Sequence, residues 1–150
     1  MKKINVNQAP ERRGSGYPEP FLAVSMNKTR RKLGDAAGLT QFGVNLLTLE
    51  PGCWSAQRHW HTAEDEFVYV LEGELVLVTD AGEETMRPGD CAGFPAGEPN
   101  GHHLINRSDR PARLLEVGSR VQGDAVDYPD IDLVSPADDS GYRHRDGTPY

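Results

Sequence analysis

The chain has 150 residues, 37% of them apolar, with 16 Gly and 11 Pro, and its formal net charge is −7. That length suits one domain, and the low apolar fraction with so many turn-forming residues argues against a long helical bundle. The charge is uneven: residues 1–34 carry eight basic and two acidic side chains (+6), residues 35–121 six and fourteen (−8), and residues 122–150 two and seven (−5). A short basic arm on an acidic body excludes the basic folded stripe that a nucleic-acid binder needs, and Lys28, Arg30, Arg31 and Lys32 read as a solvated edge.

The first ten residues, MKKINVNQAP, have a positive start but no apolar run of signal-peptide length, and no stretch approaches a membrane span, so a cytoplasmic protein without a membrane partner is expected. Cys53 and Cys91 are then expected to be reduced and to act as small buried apolar residues, since they lack the paired spacing of a zinc or redox motif. Residues 1–20 form an irregular N-terminal arm.

From residue 41 the chain breaks into short β-rich runs, predicted over 41–49, 53–61, 66–71, 74–79, 83–86, 91–94, 101–106 and 112–117. Pro51-Gly52, Glu72-Gly73, Asp80-Ala81-Gly82, Pro88-Gly89 and the segment 96–100 supply the turns. Apolar residues nowhere recur at helical spacing for three turns, so the expectation is an all-β sandwich or barrel occupying about 38–120. The acidic tail, 122–150, lacks periodicity. With the arm it carries Tyr17, Pro18, Tyr128, Pro129, Ile131 and Leu133, which are expected to pack along the barrel or a partner subunit.

Histidines concentrate the chemistry. On a strand alternate side chains share a face, so His59 and His61 project together with Trp60 opposite, and Glu66 can return its carboxylate to the same spot. Two neutral imidazoles and a carboxylate suit a divalent transition metal such as Zn, Fe, Mn, Ni, Co or Cu.

The segment His59-Trp-His61, four residues, Glu66, six residues, Gly73 is followed by Gly89, five residues, Pro95-Ala-Gly97, then His102, three residues, Asn106. Together these resemble the two motifs of the cupin superfamily, specifically its small single-domain members. Two spacings depart from that pattern: Gly52 lies one residue too far from His59, and two extra residues separate Gly97 from His102, leaving Asn100 where a ligand would otherwise stand. The interval from His102 to Asn106 is intact, so the insertion falls in the turn. Strand register separates His102 from His103, and His102 is taken as the fourth ligand with His103 as its alternative.

The resemblance implies a jelly-roll β-barrel (double-stranded β-helix) holding one metal ion on His59, His61, Glu66 and His102, with open positions for water or substrate. By parity Ser55 and Gln57 face inward, and Gln57 is the candidate substrate or outer contact. Val68 and Val70 form an apolar floor, whereas Trp54, Arg58, Trp60 and Tyr69 point outward. Trp60 and Tyr69 suggest a homodimer. Glu64, Asp65 and Glu98 read as solvated loop acids, and His144 as a solvated tail residue. No inward Lys or Arg is found to anchor a phosphate.

Function divides two ways. One reading is a metalloenzyme on a small polar metabolite, by isomerase- or lyase-type Lewis-acid chemistry or by Fe(II)-dependent oxygenation. The other is a non-enzymatic small-molecule-binding or regulatory module.

Overall fold

Period-two burial builds the central strands. In the run Glu66–Glu72, Val68 and Val70 are buried while Phe67, Tyr69 and Leu71 are exposed, and in Leu75–Thr79 the buried side chains are Leu75 and Leu77. The structure is a computed structural model that describes residues 3–150.

Its strands are β1 (Glu11–Arg13), β2 (Lys28–Lys32), β3 (Phe42–Leu49), β4 (Trp60–His61), β5 (Glu66–Glu72) and β6 (Leu75–Thr79). They continue with β7 (Gly82–Met86), β8 (Cys91–Phe94), β9 (His103–Ile105), β10 (Ala112–Ser119), β11 (Val126–Tyr128) and β12 (Leu133–Ser135). The largest sheet runs β1-β2-β3-β10-β5-β8, opposed by the three-stranded sheets β7-β6-β9 and β12-β11-β4. All pairings are antiparallel, and the fold is an all-β jelly roll. Among the described residues, no helix is long and apolar enough to cross a membrane.

Leu47, Leu49, Val68, Val70, Leu75, Leu77, Leu104 and Leu114 fill one end of the interior. Asn106 seals the turn after β9: its side-chain amide donates to the carbonyls of Leu49 and Arg110, and its Oδ1 accepts from Ser108. Fully buried and fully bonded, it serves the fold rather than the chemistry.

The structure differs from the sequence expectation in four places. The run 53–61 is not one strand; only Trp60–His61 qualifies, with single bridges at Trp54 and His59. Strands also form outside 38–120, β1 and β2 before it and β11 and β12 after it, and a five-residue helix, α1 (Leu33–Ala37), follows β2. The basic run Lys28–Lys32 is therefore not a solvated edge. It is paired along β3, with Lys28 opposite Leu49 and Arg30 opposite Leu47, and Lys28 is only 5% exposed. Cys53 is buried as expected, but Cys91 is exposed.

Trp60 is half-buried. Strand β11 pairs with β4, and the Trp60 indole N–H donates to Asp127 at 3.3 Å. Tyr69 remains exposed at 38%.

Gly73 closes the turn between β5 and β6 with φ +81°, and a Cβ there would stand 2.9 Å from the Ala112 backbone. Gly52 has a similar φ of +78° but open space around it. Gly52→Ala should therefore cost about 1 kcal/mol from backbone strain, and Gly73→Ala at least about 2 kcal/mol because the clash adds to it. Thermal unfolding of the two variants side by side checks the difference.

Candidate metal centre and its cavity

The turn between β4 and β5 brings His59, His61 and Glu66 together, and the bridge between His59 and His102 adds the fourth residue. Their ring nitrogens converge on one atom. Glu66 Oε2 lies 3.6 Å from His59 Nε2, 3.5 Å from His61 Nε2 and 2.9 Å from His102 Nε2.

The opposite ring nitrogens settle the tautomers of two of these rings. His59 Nδ1 is 2.8 Å from the Gln57 carbonyl, which can only accept, so Nδ1 carries the hydrogen. His61 Nδ1 is 2.5 Å from the Asp124 carboxylate, with the same consequence. In the neutral rings both Nε2 atoms then present lone pairs toward Glu66, with no hydrogen to share. Three acceptors facing one another suit a cation between them. Atoms 2.0–2.2 Å from a common ion are roughly 3 to 3.5 Å apart, close to the separations found, so the donor set fits a divalent metal.

The ligand atoms of His59, His61 and Glu66 all lie within 4.8 Å of one another, whereas His102 joins through its bond to Glu66. Phe94 of β8 stacks flat on the His102 ring, centroids 3.5 Å apart, and holds its plane. Burial lowers the pKa of His102, against the opposing bond from Glu66. Burial alone would raise that of Glu66, but the neighbouring histidines, foremost the hydrogen bond with His102, hold it well below the ordinary carboxylate value. Glu66 is thus an anion at neutral pH, as a ligand must be.

His103 takes the other face. It is 4% exposed, its Nδ1 bonds to the Ala56 carbonyl at 3.1 Å, and its ring meets Trp54 edge-on at 4.6 Å. It is therefore a buried structural side chain, not a surface imidazole, and desolvation lowers its pKa to about 4. His144 stacks on Tyr150 and bonds to Asp132, remote from the cluster.

The Gln57 side chain does not reach the centre. Its amide donates to the Phe21 carbonyl at 2.7 Å, fastening the N-terminal arm, and only its backbone carbonyl serves the cluster, by orienting His59. Glu64 accepts from the Val121 N–H and Asp65 from that of Ala96, so both pin loops. Asn100 accepts from the Asp80 N–H, which gives the inserted residues a structural role in a neighbouring turn.

Beside the cluster lies a cavity of about 260 Å³, at the small end of ligand pockets. Its walls include residues that the sequence did not assign to the site: Tyr17 from the arm, Tyr128 and Tyr142 from the tail, and Arg12, Arg30 and Glu116 from the large sheet. Tyr128 lies against both Tyr17 and His59 at 5.7 Å. Burial raises the pKa values of Tyr17 and Tyr128, so their hydroxyls stay neutral. Asp124 was also missed, since a lone tail aspartate carries no local signal. The alternation of Lys28 and Arg30 along one strand was a signal, hidden by the polar residues around them.

The family model of the cupin domain matches residues 45–118. A crystal structure of a cupin-superfamily sugar phosphate isomerase from Silicibacter pomeroyi is 47% identical, with a TM-score of 0.93, and the match covers 99% of this chain and 96% of that one. A beta-D-galactosidase of Mycobacterium tuberculosis is 33% identical over 116 residues, 77% of this chain and 90% of that protein. The polyketide cyclase RemF of Streptomyces resistomycificus is 25% identical at a TM-score of 0.62, with 79% of each chain covered. The chain belongs to the cupin superfamily.

Because Asp124 holds the hydrogen on His61 Nδ1, Asp124→Ala should shift His61 toward the Nε2–H tautomer, visible in nitrogen-15 NMR of the imidazoles. Metal affinity in that variant should fall about 10- to 100-fold.

Proposed function

We propose that this cupin is a metalloenzyme in which His59, His61, Glu66 and His102 hold one divalent transition-metal ion, acting on a small sugar- or polyol-like metabolite by isomerase- or lyase-type chemistry. The observation that carries the reading is the convergence of three imidazole Nε2 atoms on Glu66 Oε2, two of them with lone pairs directed inward. The sugar chemistry named for two of the similar proteins supports the substrate class. A bound ion would supply Lewis-acid polarisation of a substrate oxygen.

The chain's own groups bind and shield. The neutral tyrosine hydroxyls of the cavity offer hydrogen bonds to a polyol, and Phe94 and Val68 keep the floor of the site apolar. The arm and tail, tied together through Tyr17 and Tyr128, narrow the mouth and limit water.

Elemental mass spectrometry of the purified protein should give about one metal ion per chain, falling well below that in His59→Ala and His102→Ala. Substoichiometric metal in the wild type would sink the reading. Since ligand imidazoles must be neutral, metal should be lost as pH falls below roughly 6, near the ~6.5 of free histidine. Anaerobic isomerisation assays on a panel of aldoses, ketoses and their phosphates should show turnover. Turnover only with oxygen and Fe(II) would replace the reaction class, and saturable binding without turnover would favour a non-enzymatic module.

We also propose a homodimer formed through the outer face of the large sheet. Phe67, Tyr69 and Leu71 are 40%, 38% and 43% exposed there, and Leu115 and Val117 lie opposite Tyr69 and Phe67 on the next strand. A flat apolar stripe of this kind can match its own two-fold copy. Light scattering at micromolar concentration should give twice the 16.5 kDa chain mass, and Tyr69→Glu with Leu71→Glu should return it to the monomer value.

A further inference from the structure

One wall of the cavity is cationic. In β2, Lys28 and Arg30 stand opposite Leu49 and Leu47, both fully buried, so strand parity turns the two cations inward. β1 adds Arg12, opposite Arg30. All three line the same cavity as His59, His61, Glu66 and His102.

These three cations are not equivalent. Arg30 is committed, its Nε and Nη2 donating to Glu116 at 2.8 and 3.1 Å. Lys28 is buried, and its ammonium bonds only to the Ser55 carbonyl; it has no ion-pair partner among the described residues. Arg12 makes no hydrogen bond or ion pair among the described residues, and its guanidinium covers Gly16 so closely that a Cβ there would meet Nη2 at 2.7 Å.

A buried ammonium without a counter-ion is costly. Burial and the neighbouring Arg30 pull the Lys28 pKa down to about 8, which leaves it charged at neutral pH but poorly compensated. Arg12, Lys28 and Arg30 against Glu66 and Glu116 make the cavity lining +1 before any metal, in a chain whose net charge is −7. A divalent ion would raise that lining to +3. The cavity is thus a positive well in a negative surface, which selects for anions.

We propose that Lys28 and Arg12 form an oxyanion-binding subsite, so that the metabolite entering this cavity carries a phosphate or carboxylate group. The substrate class rests on the proposed function; the subsite rests only on the cationic wall and needs no metal. Lys28, with donors to spare in a dry setting, supplies the stronger contact, and Arg12 closes over the anion from the mouth.

Calorimetric titration of inorganic phosphate into the protein as purified, and again after chelator treatment, tests this. Saturable binding is expected in both. Lys28→Met should weaken it about tenfold, the fold-change expected for losing a charge-assisted hydrogen bond, and Arg12→Ala severalfold. Arg113→Ala, on the same sheet but outside the cavity, should change nothing. Glucose phosphate and glucuronate should each bind at least tenfold tighter than glucose, and Lys28→Met should remove most of that preference; the tighter of the two identifies the anion.

Unsaturable phosphate binding, equal affinity in all variants, or loss of binding on chelation alone would each overturn the subsite. Arg12 is exposed, so its variant keeps the test valid if Lys28→Met fails to fold. Phosphate binding in a protein that never holds metal would retain the subsite and defeat the metal reading. Stoichiometric metal with no phosphate binding would do the reverse.

Discussion

A strand side chain has only two directions, and in this barrel the inward direction meets two media. Along β5 the inward row begins with Glu66 at the mouth and continues into Val68 and Val70. Along β10 it passes from Glu116 to Leu114, and in β2 both Arg30 and Lys28 lie on the inner face. β5 and β10 thus place charge at one end of the cavity and hydrocarbon at the other, while β2 is cationic at both inward positions. The apolar end stabilises the sheets, and that rigidity lets the polar end hold groups that would otherwise repel one another.

At the mouth, each charge is managed by a group remote in sequence. Asp124 directs His61, the Gln57 carbonyl directs His59, and Phe94 fixes the plane of His102. Arg30 is matched by Glu116 across two strand neighbours. What is left uncompensated is informative: inward lone pairs on one side of the cavity and the buried Lys28 ammonium on the other. Those two deficits call for opposite charges, a cation beside Glu66 and an anion beside Lys28.

Much of the barrel was legible because its strands alternate apolar with polar residues between strong turn signals. The bounds of β3, β5, β6, β7 and β8 lie within one residue of those expected. The strands of the arm and tail were not legible. Lys28–Lys32 is polar on both faces, since its inner face lines a charged cavity instead of hydrocarbon, and periodicity vanishes when both surroundings are polar. Trp60 has a partner the sequence did not show: its indole bonds to Asp127 of the chain's own β11, a pairing no local pattern announces.

The sequence by itself determined the fold class and the candidate donor set. Two histidines on one strand face, a glutamate at the next strand start and a histidine in register with Asn106 are local facts, carried by spacing and period two. Tertiary structure alone decided the rest of the cavity. It turned the basic arm inward, gave Asp124 to His61, and sent the Gln57 side chain to the arm instead of the centre. The physical reason is range: a strand's period is set by its own backbone, but a cavity wall is set by which distant strand pairs beside it, and that depends on the packing of the whole chain.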